Sequence, residues 1–326
     1  KVVCEYFEVC PFNESLKHIE INLGIQPNHY NHLFDVEVVQ EITSDYYDAT
    51  TIDSLLKGEH AKVVDRFRAD LKDDIFKWDI HRTKEEFREI VLNQTKHLAK
   101  KGYGALAYPK EYGGAGDMEG YAHMFENMMY VDGSLTIKFG VQFGLFGGSI
   151  QKLGTKKHHD QYLEATGKAE LLGCFAMTET GHGSNVRGIK TTATYDKTTD
   201  RLILHTPGKN DNKEYIGNAL HSKMASVFAQ LIVAGKNEGV HAILVPLRNE
   251  EHELLPGIQV EDNGYKLGLN GVDNGKIWFN EVSVPRENLL NKYGDIREDG
   301  TYHSDIKNPN KRFFTMLGTL VGGRIC

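Results

Sequence analysis

The chain has 326 residues, enough for two domains of ordinary size, and its 40% hydrophobic and 25% charged content is that of a folded globular protein. A formal net charge of −7 argues against the basic face of a general nucleic-acid binder. No apolar run approaches the ~20 residues needed to cross a bilayer, so no membrane span is expected.

The N-terminus, KVVCEYFEVC, lacks the apolar core and small-residue cleavage site of a signal peptide. Cys4, Cys10, Cys174 and Cys326 have no C-x-x-C spacing, so a zinc site and a disulfide scaffold are both unexpected. A reducing cytoplasmic setting fits best. The next elements read as helices. HAKVVDRFRADLKDDIF puts Val63, Val64, Phe67, Leu71 and Ile75 on one apolar stripe. TKEEFREIVLNQTKHLAKKG repeats the pattern with Phe87, Ile90, Val91 and Leu98, with a capping box at Thr83 and Glu86 and a stop at Gly102. After the break at YPKEYGGAG come apolar segments of roughly 118–131 and 135–153. Gly140, Gly144, Gly147 and Gly148 in the second suggest close helix packing or a nearby ligand. The basic cluster Lys156–Lys157–His158–His159 reads as a solvated helix face.

After about residue 170 the period changes. LLGCFAMTE, TTATYD, RLILHTP, VFAQLIVAGK, GVHAILVPLR, IQVEDNGYKL and GKIWFNEVSVP are short, rich in β-branched and aromatic residues, and divided by turn formers. Without strand–helix alternation they predict an antiparallel barrel or sandwich, and the fold class is α+β. Beyond Pro285 a polar stretch leads into FFTMLGTLVGGRIC, which reads as the start of another helix and implies that the native protein continues past Cys326. Phe313, Phe314, Met316, Leu317 and Leu320 are then expected to lack helical partners, and self-association or a disordered tail is expected after about residue 290.

The string GCFAMTETGHGSNVRGIKTTATYD, residues 173–196, holds the chemistry. Gly181 and Gly183 suggest a dinucleotide fingerprint, but Val186 stands where its third glycine belongs and a strand follows instead of a helix. P-loop, G-x-S-x-G and H-E-x-x-H motifs are absent, and the histidines show no zinc spacing, so no metal is expected. What remains is a glycine loop between strands, with Thr178 at a strand end and Ser184 beyond it. Hydroxyls and free backbone amides at that place suit the polar edge of an aromatic cofactor and an adjacent pyrophosphate.

This string closely resembles the signature of the acyl-CoA oxidases, the oxygen-using branch of the acyl-CoA dehydrogenase superfamily. GYGALAYPKEYGGAG, FGVQFGLFGGSIQKLGTKKHHDQYL, GVHAILVPLR and LPGIQVEDNGYKLGLNGVDNGKIWFNEVSVPRENLL are similar to family segments in the same order. The resemblance implies an N-terminal helical domain, a middle β domain and a C-terminal helical domain, with FAD between them. On this chain it implies an extension at 1–54, the helical domain at 55–168, the β domain at 169–290, and at 291–326 a linker and the start of the third domain, which is otherwise missing.

It also implies the reaction, which is α,β-dehydrogenation of a fatty acyl-CoA with O2 as electron acceptor and H2O2 as product. A dehydrogenase that passes electrons to a flavoprotein carrier is the nearer alternative, and a non-catalytic flavin- or CoA-binding module is the alternative for this chain alone. By position in the motif, Phe175, Met177 and Thr178 line the flavin, with Thr178 at its pyrimidine edge. Gly183 and Ser184 lie beside the pyrophosphate, Ser184 also near the CoA arm, and Arg324 near the acyl pocket. Gly217, in KEYIGNALHSK, matches a flavin-contacting glycine of the oxidases, and the lack of a side chain there is expected to leave open space for O2. The family's base is a glutamate beyond Cys326, so no catalytic residue is expected in this chain, and Glu179 reads as a loop-fixing carboxylate. The full-length protein is expected to be a homodimer, peroxisomal if eukaryotic.

Overall fold

In a computed structural model, which describes residues 48–77 and 82–321, the Thr83–Glu86 capping box forms as the sequence requires. The Thr83 hydroxyl accepts the Glu86 N–H at 3.2 Å, and the Glu86 carboxylate accepts the Thr83 N–H at 2.8 Å. This box opens the helix Lys84–Lys100, which ends before Gly102 in a left-handed conformation, with Val91 and Leu98 fully buried. Two compact units contain the described residues, divided between Asp73 and Asp74.

The first unit holds α1 (Ala49–Lys57) and α2 (Ala61–Asp70). Val64, Phe67 and Leu71 are its buried stripe, and Lys57 is buried against Asp53 and Asp65. The helix read through Ile75 ends earlier, at Asp70.

In the second unit the capped helix is α3 (Lys84–Lys100), followed by α4 (Met118–Met129) and α5 (Gly133–Phe139). A π-helical segment, Gly140–Phe146, joins α5 without a break to α6 (Gly147–Leu153). The glycines of this rod divide in use. A Cβ at Gly147 would lie 1.7 Å from the Tyr108 hydroxyl, so close packing requires glycine there, whereas one at Gly148 would meet nothing within 4 Å. In α7 (Lys156–Gly167) the basic cluster is only partly a solvated face. Lys156 is exposed and pairs with Asp160, but His158 is buried, accepting the Thr155 N–H at 3.1 Å and meeting the Glu287 carbonyl at 3.0 Å. The side chain serves as a cap, which apolar periodicity does not reveal.

The sheet region contains β1 (Gly173–Ala176), β2 (Thr192–Asp196), β3 (Arg201–His205), β4 (Lys213–Ile216), β5 (Met224–Val233) and β6 (Lys236–Pro246). It continues with β7 (Ile258–Asp262), β8 (Gly275–Phe279) and β9 (Val282–Pro285). One sheet runs β1-β5-β2-β3-β9 with β6 on β5, and a three-stranded sheet runs β4-β8-β7. Pairing is antiparallel except along β5, where β1 and β2 both lie parallel to it. No helix alternates with these strands, so the sheet is not doubly wound.

The central strands β5 and β6 are buried on both faces, which is why VFAQLIVAGK and GVHAILVPLR read as continuous apolar runs. Ala225, Val227, Ile243 and Val245 point into the core between the two sheets. Met224, Phe228, Ala242 and Leu244 point the other way, into a second core with Tyr108, Phe146, Ile150 and Leu163 of the helical region.

Past β9 the polar stretch is structured. β10 (Asp295–Ile296) and β11 (Tyr302–His303) form a small hairpin, whose Tyr302 hydroxyl lies 2.8 Å from Nε2 of the buried His241. The helix α8 (Pro309–Leu320) starts with Pro309 and is capped by Asn308, which accepts the Asn310 and Lys311 N–H groups. It packs on β6 and α6. Phe313 and Met316 are therefore buried in the second core, against the expectation that they lack partners, while Phe314 stays exposed. Strand β6 and helix α6 of this chain supply the cover that was expected only from the missing helices. The side chain of Leu320, with Arg324, Cys4, Cys10 and Cys326, lies outside the described residues.

Candidate functional site

β1 ends at Ala176 and delivers the glycine string to the edge of the sheet. Phe175 packs on Phe228 at 4.8 Å between ring centroids, and Met177 is buried in the same core. Thr178 is half-buried, its hydroxyl donating to the Glu214 carbonyl at 2.9 Å while its carbonyl accepts the Glu214 N–H at 3.0 Å. β4 thus runs beside the strand end and holds Thr178 in place.

Glu179 is a loop-fixing carboxylate, as expected. It is fully buried and accepts the Lys190 N–H at 2.6 Å, the Thr191 N–H at 2.9 Å and the Thr191 hydroxyl at 2.7 Å. Its fourth donor is Lys213 at 3.0 Å, also fully buried, which donates in addition to the carbonyls of Met177 at 3.0 Å and Phe228 at 2.7 Å. Burial pushes the Lys213 ammonium down to about 8, with Glu179 opposing the shift. Burial by itself would raise the Glu179 carboxyl, but Lys213, Thr191 and Lys190 outweigh it and hold the group below its ordinary value. Both therefore stay charged at neutral pH.

Between these anchors the loop of residues 180–189 stands open. The N–H groups of Gly183, Ser184 and Asn185 have no partner among the described residues, and all three residues are exposed. A Cβ at Gly181 or Gly183 would meet nothing within 4 Å. The buried Nδ1 of His182 has no hydrogen-bond partner among the described residues. The loop offers donors with no acceptor among the described residues, and it follows a hydroxyl at a strand end.

Gly217 follows the end of β4, between Tyr215 (φ 57°) and Asn218 (φ 66°), both left-handed without being glycine. A Cβ on Gly217 would lie 3.1 Å from Val141 of the π-helical segment and 3.6 Å from Val272. The space there is filled, which corrects the expectation of open room. Beneath the turn, Lys138 donates to Asp273 at 2.5 Å and to the Asn218 side-chain oxygen at 3.2 Å. Asp273 accepts the N–H groups of Leu220 at 3.1 Å and His221 at 2.9 Å, and Arg248 donates to the Ala219 and Ser222 carbonyls.

Two family models match in the order of this architecture, the acyl-CoA dehydrogenase N-terminal domain at residues 58–170 and the acyl-CoA dehydrogenase middle domain at 174–282, together more than half of the chain. The chain belongs to the acyl-CoA dehydrogenase superfamily. Within this superfamily it is similar to the peroxisomal acyl-coenzyme A oxidase 2 of Arabidopsis thaliana, 44% identical over 284 residues, covering 83% of this chain and 40% of the relative. The crystal structure of acyl-CoA oxidase 3 from Yarrowia lipolytica superposes with a TM-score of 0.74 at 32% identity, over 88% of this chain and 41% of that one. Acyl-CoA oxidase 2 of Caenorhabditis elegans, solved bound with FAD, ascaroside-CoA and ATP, gives 0.71 at 28% identity, over 86% and 42%. The chain spans about two fifths of the length of the curated relatives it matches.

Of the residues singled out for this superfamily's chemistry, Phe175, Met177, Thr178, Gly183 and Ser184 lie on one strand end and its loop, and Gly217 lies at the far end of the strand that holds Thr178. Sequence reasoning missed Lys213, Lys138 and Asp273. In NDNKEY and NGVDNG, Lys213 and Asp273 look like solvated charges, whereas Lys138 is a charge inside the apolar segment 135–153, and that was the signal available for it. Among the described residues no cluster of His, Cys, Asp or Glu is able to hold a metal, and no helix is long and apolar enough to cross a membrane.

Proposed function

We propose that this chain forms the FAD-binding part of an acyl-CoA oxidase, acting in fatty acid β-oxidation. The reaction is α,β-dehydrogenation of a fatty acyl-CoA to the trans-2-enoyl-CoA, with O2 as electron acceptor and H2O2 as product. The observation that carries the reading is the set of amides at Gly183, Ser184 and Asn185, without partners among the described residues, on the loop that follows Thr178. These groups fit a flavin dinucleotide. The Thr178 oxygen spends its proton on Glu214 and keeps lone pairs for an N–H at the polar edge of the ring, over an apolar floor of Phe175 and Met177. The amides suit the charge of a diphosphate, and the nearest loop carboxylate, Glu179, is already neutralised by Lys213.

FAD, when bound, supplies the acceptor for the β-hydride and the route for electrons to O2. The chain's own part is to bind and orient. Neither carboxylate beside Thr178 is free to remove an α-proton. Glu179 is saturated by its donors, and Glu214 accepts from Asn263 at 2.5 Å, from Thr180 at 3.0 Å and from Asn212 at 3.1 Å. The base is assigned outside the described residues, as is Arg324 toward the acyl pocket, while Ser184 faces the CoA arm.

The choice of oxidase over carrier-linked dehydrogenase rests on the string TETGHG and on the relatives' names, and not on open space at Gly217. Those names also favour the peroxisome over the cytoplasm, and a homodimer is proposed for the full-length protein. Titrating the purified chain with FAD, followed by flavin absorbance and fluorescence, tests the cofactor site. Quenching with a shifted spectrum is expected, and a folded chain that leaves FAD unquenched overturns the reading. Mixed with fatty acyl-CoA, the loaded chain is expected to yield no peroxide, and turnover by it would sink the placement of the base.

A further inference from the structure

Resting on the reading of residues 180–189 as a diphosphate site, we infer that Glu179 and Lys213 are positioning residues. They close the neck of this loop and hold the amides of Gly183, Ser184 and Asn185 ready for a dinucleotide. Glu179 is at the loop's entry, and its carboxylate accepts the N–H groups of Lys190 and Thr191 at the exit, at 2.6 and 2.9 Å. One side chain therefore joins both ends. Lys213 fastens that carboxylate to the sheet, its other protons going to the carbonyls of Met177, next to Thr178, and Phe228 on β5. Gln230 completes the exit by donating to the Arg187 carbonyl at 3.0 Å and the Ile189 carbonyl at 3.1 Å.

Inside the loop the backbone makes two short turns, His182 N–H to the Glu179 carbonyl at 2.9 Å and Gly188 N–H to the Asn185 carbonyl at 3.0 Å, and its one longer tie is at the entry, Thr180 N–H to the Asn212 carbonyl at 3.2 Å. The neck therefore sets where the free amides stand. A loop ordered before its ligand arrives loses less entropy on binding, so the clamp favours ligands that reach these amides. FAD carries a diphosphate that reaches them. Riboflavin has the same ring system and lacks the diphosphate, so it reads only the Thr178 end.

Two readouts on the intact chain test this, one of them without flavin. Arg187 is exposed within the loop and offers a trypsin site. Glu179→Gln sets an amide NH2 against N–H donors, and it is expected to speed cleavage at Arg187 and weaken FAD about tenfold to a hundredfold. Riboflavin affinity is expected to hold within about twofold. Cleavage at Arg187 unchanged relative to other sites, or equal loss of FAD and riboflavin, overturns the proposal, because a general loosening of the fold affects both ligands alike. If Glu179→Gln fails to fold, Thr191→Val, which removes one bond from the clamp, carries the same two readouts. If the wild-type chain binds neither flavin, the cofactor reading fails, and trypsin at Arg187 still decides whether Glu179 closes the loop.

Discussion

The loop of residues 180–189 and the turn of residues 215–222 lie at opposite ends of β4, and each is tied down by a fully buried lysine–carboxylate pair. They use it differently. Glu179 and Lys213 hold only the neck of the first, leaving the amides of Gly183, Ser184 and Asn185 without a partner among the described residues and Gly181 and Gly183 facing empty space. Lys138 and Asp273 sit beneath the second and, with Arg248, take up the polar groups of the turn, while Val141 and Val272 fill the room around Gly217. A glycine at the first place leaves the surface open. At the second it allows two backbones to come close.

The sharpest way to break this contrast is to remove one charge under the turn. Lys138→Met leaves Asp273 buried without its partner, and a loss of about 3–5 kcal/mol in chemical denaturation is expected. A loss below about 1 kcal/mol would mean that water or another donor replaces the lysine, and the turn would not depend on the pair.

Gly217→Ala comes next. Its Cβ would crowd Val141 at 3.1 Å, so a cost of about 1–3 kcal/mol is expected, with Val141→Ala restoring part of it in a double-mutant cycle. If the two changes are additive, Val141 is not what fills the space.

The ion pair at the neck of the loop gives a pH signature. Lys213 releases its proton near pH 8 in the folded chain and near 10.5 when unfolded. Between those values unfolding takes up a proton, so this group's contribution to stability rises with pH and is flat below about 8. The expected slope is about 1 kcal/mol per pH unit, read as the difference between the wild-type chain and Lys213→Met. A difference that falls with pH would place the lysine's folded value above its unfolded one. The smallest effect is expected at Gly183→Ala, whose Cβ meets nothing within 4 Å, with stability unchanged within about 0.5 kcal/mol. A larger loss would show that the loop is packed and not open.

Much of this was legible in the residues. Periodicity located α3, α4 and the long rod from α5 to α6, because one apolar face repeats there, and Thr83 with Glu86 marked where a helix begins. The change to short β-branched runs after residue 170 marked the sheet, and the string around Thr178 marked the candidate site and the superfamily. Local spacing suffices for such features because each depends on neighbours within a few residues.

Only the tertiary structure decided the rest. The parallel placement of β1 and β2 along β5, the cover that β6 and α6 give to Phe313 and Met316, and the buried states of Lys213, Lys138 and Asp273 all join residues far apart in the chain. In the sequence a lysine in NDNKEY carries the same charge as one on any wet surface. It becomes a clamp only where the fold removes water and brings Glu179, Met177 and Phe228 within reach of one ammonium group.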